Sequence, residues 1–132
     1  MEYTYKVYDQ ISALELSQVF KASGIKRPVD DLPRLQRMLD KADITITARL
    51  GGKVIGVARA ITDFNYCCYL SDLAIDNEHQ KQGIGKELVR LLQEEIGEEV
   101  SLLLLASQEA MEYYPKIGFT SIDNGFLIRR NR

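Results

Sequence analysis

The sequence predicts a mixed α/β fold: a mostly antiparallel sheet of six to seven strands containing one parallel pair, flanked by about four helices. Two observations carry this prediction. Residues 44–50 and 54–62 are alternating, β-branched runs on either side of Gly51-Gly52, a dipeptide that accepts the positive backbone angles of a hairpin turn. Further on, an apolar run over 66–75 passes through a polar loop into an amphipathic helix and then into a second apolar run, 100–105. Strand, helix and strand in that order make a right-handed crossover between parallel strands.

The elements follow in order. Residues 3–8 alternate aromatic or apolar with polar and read as a first strand. Ser12 and Glu15 form a capping box, Ile11 and Leu16 a hydrophobic staple, and Gly24 a stop, which bounds a first helix. Asp30 or Asp31 caps a second helix, with Pro33 in its first turn and Leu35, Met38 and Leu39 on its inner face. The hairpin comes next, and the strand 66–75 after it is apolar on both faces, as in a sheet covered on each side. Ile84, Leu88, Leu91, Leu92 and Ile96 recur at helical spacing, and Gly97 punctuates the step into 100–105, read as a central buried strand. A helix over 108–116 and two short strands, 119–122 and 126–128, joined by Asn124-Gly125, complete the prediction.

Composition bounds the function. At 132 residues the chain fits one domain, 1–132, with 27% charged residues and a net charge of -2. The charge balance argues against nucleic acid as the main partner. No apolar run approaches the ~20 residues that span a bilayer, and the first residues lack a signal-peptide core, so a cytoplasmic protein with no membrane partner is expected. Cys67 and Cys68 are adjacent in a strand, so their side chains face opposite ways and do not pair. With His79 the only histidine, no metal site is expected.

The most informative stretch is Leu73-Ala74-Ile75 followed by the loop Asp76 to Lys86. The first N–H groups of a helix lack intrahelical partners and carry the positive end of its dipole, so glycines there let a phosphate approach the backbone. A nucleoside-triphosphate loop would need Gly where Gln80 stands and Ser or Thr where Glu87 stands; a dinucleotide fingerprint would need a third glycine at Leu88. What remains is Gln80-x-x-Gly83-x-Gly85. Downstream, Ser107-Gln108-Glu109-Ala110-Met111-Glu112-Tyr113-Tyr114-Pro115-Lys116-Ile117-Gly118-Phe119 places a small residue, an alanine, an aromatic-Tyr pair and Gly-Phe in fixed order. Together the two motifs resemble those of the GNAT superfamily of acyl-CoA-dependent N-acetyltransferases, and the likeness extends over nearly the whole chain.

The resemblance implies a sheet whose central parallel strands splay, with acetyl-CoA as cosubstrate in the notch between them. It assigns Gly83 and Gly85, with the amides of Gln82, Ile84 and Lys86, to the pyrophosphate; Gln80, Lys81 and Lys86 add a donor and charge, or are solvated loop residues. Leu73, Ala74 and Ile75 offer backbone to the pantetheine, with the Leu73 N–H as the oxyanion donor. Ser107 stands where many relatives have Asn, Ala110 is the motif alanine, and Tyr113 is the packing partner of Tyr114. Tyr114 matches the general acid that protonates the leaving CoA thiolate; otherwise it is a core tyrosine beside Pro115. Asp72 is the first choice of general base, or else a strand-end carboxylate bonded to its surroundings, and Asp63 is a candidate to bind a cationic substrate. The expected activity is direct acetyl transfer from acetyl-CoA to a primary amine, most simply on a small molecule, by an enzyme for which a homodimer is reasonable. A non-catalytic acyl-CoA sensor and a protein N-terminal or lysine acetyltransferase are the rivals.

Overall fold

A computed structural model describes residues 2–132. Five strands form one sheet in the order β1-β2-β3-β4-β5: β1 (Thr4–Val7), β2 (Ile44–Leu50), β3 (Lys53–Thr62), β4 (Cys67–Ile75) and β5 (Ser101–Leu103). All neighbours are antiparallel except β4 and β5, which run parallel. Helices α1 (Ala13–Ser23), α2 (Leu32–Lys41), α3 (Ile84–Ile96) and the short α4 (Tyr113–Lys116) complete the architecture.

Local signals explain the boundaries. The Ser12 Oγ accepts the Glu15 N–H at 3.0 Å while the Glu15 carboxylate accepts the Ser12 N–H at 3.0 Å, so α1 begins with a complete capping box. It ends at Gly24, whose φ of 80° is in the left-handed region. The Asp31 carboxylate caps α2 through the Arg34 N–H, and Gly51 and Gly52 (φ 57° and 85°) turn the β2–β3 hairpin. The sheet is covered on both faces. Ile44, Ile46, Ala58, Leu70, Leu88 and Leu92 form the core under α3; Leu16, Phe20, Leu35, Val57 and Ala74 form the core under α1 and α2. Among the described residues, no helix is long and apolar enough to cross a membrane.

The C-terminal third departs from expectation. β5 is three residues long, lies at the sheet edge and is half-exposed, so it is not a central buried strand. The helix expected over 108–116 is a 3-10 turn at Gln108–Ala110 followed by α4. Pro115 accounts for the break, because it has no N–H for the Met111 carbonyl and its ring collides with that carbonyl in a continuous helix. Residues 119–122 and 126–128 form no strands: Phe126 is 100% and Ile128 98% exposed. Among the described residues the sheet thus has five strands, not six or seven. Their alternating pattern marks a capacity to pair, whereas the partner edge, β5, is too short to receive them.

Candidate active site

The site is built around an irregularity in β4. Arg59 pairs with Asp72 and Ala60 with Leu70, leaving Ser71 as an extra residue in the ladder. A bulge of this kind reverses the alternation of faces. Cys68 and Leu70 pack beneath α3 before it, Leu73 and Ile75 do so after it, and Asp72 and Ala74 turn to the α1–α2 side. Beyond the bulge the Asp76 N–H donates to Ile55 O on β3, so alternation points the peptide groups of Leu73 and Ile75 to the opposite edge. That edge is open: β5 pairs only with Cys67, Cys68 and Tyr69. The strands diverge there, leaving backbone donors and acceptors of β4 facing a notch.

The N-terminus of α3 flanks the same notch. Gly83 caps the helix with φ 80°, and no side chain caps it. The first intrahelical bond runs from the Glu87 N–H to Gly83 O, so the amides of Ile84, Gly85 and Lys86 precede the ladder and are free to receive an anion. Gly85 has a second reason to lack a side chain. A Cβ there would lie 2.2 Å from the Tyr113 hydroxyl and 3.8 Å from the Leu73 side chain, so the first turn of α3, the end of β4 and the phenol of Tyr113 meet at one point. Lys81, at φ 66°, and Gln82 are exposed in the turn, as is Lys86. Gln80 departs from the expected phosphate donor. Both hydrogens of its side-chain amide are engaged within the loop, by Ile75 O at 3.1 Å and Asn77 Oδ1 at 2.9 Å. Gln80 therefore ties the loop to the end of β4.

Tyr114 is partly buried between Tyr113 and Phe119, with edge-to-face ring separations of 5.2 and 5.5 Å. Burial raises its pKa, Tyr113 adds to the rise, and the Arg27 charge opposes it. The net upward shift keeps the phenol protonated at neutral pH. Burial likewise raises the pKa of Tyr113. Ser107 is exposed, caps no helix with its hydroxyl and starts the 3-10 turn that contains the half-buried Ala110.

The expectation for Asp72 is corrected by its surroundings. Its side chain is fully buried, and both oxygens accept from guanidinium groups: Oδ1 from Arg27 Nε at 2.5 Å and Oδ2 from Arg59 Nε. A carboxylate so enclosed has no route to a substrate proton, which makes it a clamp for two arginines instead of a base. Arg27 also donates to Ser71 O at 2.7 Å and Lys26 O at 2.6 Å, and Arg59 to Ser71 Oγ at 3.0 Å. This network fastens the α1–α2 connection to the bulge. One oxygen of Asp63 is also engaged: Oδ1 accepts the N–H groups of Cys67, Asn65 and Tyr66, which hold the carboxyl below the usual range. It shapes the β3–β4 turn. Sequence reasoning missed Arg27, Arg59 and Ser71. The available signal was a charge of each sign, Arg59 and Asp72, in strand interiors that hold no other charge.

Residues 9–119 match the acetyltransferase (GNAT) family, and the chain belongs to that family. GCN5-related N-acetyltransferase 2, chloroplastic, of Arabidopsis thaliana is 36% identical over 78 residues, covering 55% of this chain and 29% of that protein. The chain thus spans less than a third of the length of that relative. A probable acetyltransferase from meticillin-resistant Staphylococcus aureus has the same fold, with a TM-score of 0.79 and 23% identity over 96% of this chain and 100% of that one. So does aminoglycoside N-acetyltransferase AAC(6')-Iy, solved in complex with CoA: TM-score 0.72 and 17% identity, covering 100% of this chain and 98% of that chain.

Proposed function

We propose that residues 1–132 act as one N-acetyltransferase domain that moves an acetyl group from acetyl-CoA directly to a primary amine. The observation that carries this reading is the corner where the unpaired edge of β4 meets the uncapped first turn of α3, with the tyrosine pair alongside. An elongated ligand with a diphosphate and an amide-bearing arm fits such a corner. The Ile84, Gly85 and Lys86 amides take the diphosphate, with Gln82 and Gly83 shaping the turn and Lys86 adding charge. The Leu73 carbonyl and the Ile75 N–H take the arm, Ser107 and Ala110 border it, and the Leu73 N–H donates to the thioester carbonyl.

The amine nitrogen attacks that carbonyl and forms the C–N bond, and the carbonyl electron pair moves to oxygen, where the backbone donor stabilises it. Collapse of the tetrahedral adduct breaks the C–S bond. The protonated Tyr114 phenol donates to the departing sulfur, while the nitrogen loses its surplus proton to water in the open notch. Asp72 takes no part in this proton traffic. No covalent acetyl-enzyme is needed.

Calorimetric titration with acetyl-CoA, CoA and ATP, followed by thiol release with small amines and lysine peptides, tests the reading. Micromolar binding of acetyl-CoA, no binding of ATP, and turnover with a small amine support it. Binding without turnover across the panel would make the chain a sensor, turnover only of peptides would make it a protein acetyltransferase, and failure to bind CoA would remove the basis of the proposal.

A further inference from the structure

Two arginines share one carboxylate beside Leu73. Asp72 neutralises one of the charges of Arg27 and Arg59, and the cluster retains a net positive charge. Arg59 is buried beneath α2, donating to Met38 O, but the Arg27 side chain is 28% exposed. Its guanidinium is held on Asp72 Oδ1 at 2.5 Å and Ser71 O at 2.7 Å, the two residues directly before Leu73, whose N–H is the proposed oxyanion donor. Asp72 is committed to the arginines, and Asp63, the candidate to bind a cationic substrate, has Oδ1 committed to three backbone amides of its own turn. A cationic amine approaching this centre therefore meets a like charge.

The same sheet face carries a second feature. Ile61 follows Arg59 by two residues and so shares its face. It pairs with Tyr69, which pairs in turn with Leu103, making an apolar row across β3, β4 and β5. The three are 46%, 36% and 46% exposed. A half-exposed apolar floor on the sheet face where Asp72 holds the Arg27 guanidinium can hold a molecule with an apolar body and an anionic group.

We propose that the acceptor is an amine bearing a carboxylate next to its reacting nitrogen and an apolar side chain, that is, an apolar α-amino acid, with Arg27 as the carboxylate receptor and the row Ile61, Tyr69 and Leu103 as the side-chain floor. This rests on the acetyltransferase reading and narrows its substrate class. Placing the carboxylate at Arg27 brings the neighbouring nitrogen toward the Leu73 end of the bulge, where the thioester carbonyl is to be attacked. The guanidinium charge also disfavours the ammonium form of the acceptor, which assists deprotonation without a dedicated base.

The test is thiol release from acetyl-CoA with matched acceptors: phenylalanine against phenethylamine, leucine against isopentylamine, and spermidine as the cationic extreme. Wild type is expected to favour the carboxylate-bearing member by at least about tenfold in kcat/KM. Arg27→Met brings the ratio near one, Arg27→Lys keeps part of it, and Tyr69→Ala lowers phenylalanine turnover more than glycine turnover. Thermal unfolding confirms that each variant is folded, and Arg27→Lys keeps a cation beside Asp72 should Arg27→Met fail. A second readout is independent of turnover: N-acetylphenylalanine binds the CoA-loaded protein by calorimetry, and Arg27→Met abolishes that binding. Preference for phenethylamine or spermidine, a ratio that survives Arg27→Met, or absence of N-acetylphenylalanine binding overturns the inference. In each case the acetyltransferase reading stands if acetyl-CoA binds and some amine is acetylated, and falls with it if acetyl-CoA does not bind.

Discussion

Replacing Asp72 with Asn removes the charge that holds Arg27 and Arg59 together while keeping the side-chain shape. The Asp72 side chain is 0% exposed, Arg59 7% and Arg27 28%. Breaking a buried pair by neutralising one partner costs about 3–5 kcal/mol, since the other charge stays buried without compensation. The Arg59 contact sets this figure. The Arg27 contact contributes less, because partial exposure screens it and lets the guanidinium turn to solvent. At roughly 3–5 °C per kcal/mol for a chain of this size, Asp72→Asn is expected to lower Tm by about 10–20 °C. The double variant Asp72→Leu, Arg59→Met replaces the pair with apolar groups and should regain most of that loss. Circular-dichroism melting reads the stability, and the pH dependence of kcat/KM, taken below the melting range, reads the chemistry. With Asp72 as clamp, the acid limb of the profile is set by the amine and keeps its position in Asp72→Asn. A Tm within about 2 °C of wild type, together with loss of that limb, would refute the clamp and restore Asp72 as base.

Other outcomes follow from the same structure. Gly85→Ala adds a Cβ 2.2 Å from the Tyr113 hydroxyl in a helical backbone; the phenol must move into the corner, and calorimetry should show acetyl-CoA binding weakened by about tenfold or more. Tyr113→Phe in that background removes the colliding hydroxyl and should restore part of the affinity. Burial raises the pKa of Asp9, but hydrogen bonds from Thr47 and Arg49, with the nearby charges of Arg49 and Lys6, outweigh it and leave the pKa below its ordinary value. Its stabilising contribution is therefore complete above the unfolded value near pH 4 and is lost as pH falls through the folded value. Urea midpoints measured downward from pH 5 should fall faster for wild type than for Asp9→Asn. Cys67 is exposed, whereas Cys68 is buried with its thiol pKa raised by that burial. A thiol reagent should label one cysteine quickly in the native protein and both once it is unfolded.

What was legible in the sequence was local. The capping box of Ser12 and Glu15, the Gly51-Gly52 hairpin and the helical spacing from Ile84 to Ile96 each depend on residues within a few positions of one another, and each formed as read. The glycine turn before α3 was legible for the same reason. The bulge at Ser71 was not, because β4 is apolar on both faces and a reversal of alternation leaves no mark in its composition. Nor was the arginine clamp, whose members lie 45 and 13 residues from Asp72 and meet only through the α1–α2 connection and strand pairing. Without that partnership, Asp72 read as a base. The last residues failed differently. Alternation in 119–128 is a real strand signal, but it does not specify an edge to pair with, and β5 ends at Leu103.

Transfer to an amine with Tyr114 as proton donor is tested most directly by thiol-release kinetics of Tyr114→Phe, alongside its calorimetric affinity for acetyl-CoA. The phenol is partly buried and its pKa is raised by that burial, so it is protonated throughout the neutral range. Loss of a positioned general acid lowers kcat by about 10²–10⁴-fold, and the expected result is such a drop with acetyl-CoA affinity unchanged. Undiminished turnover in Tyr114→Phe would contradict the account.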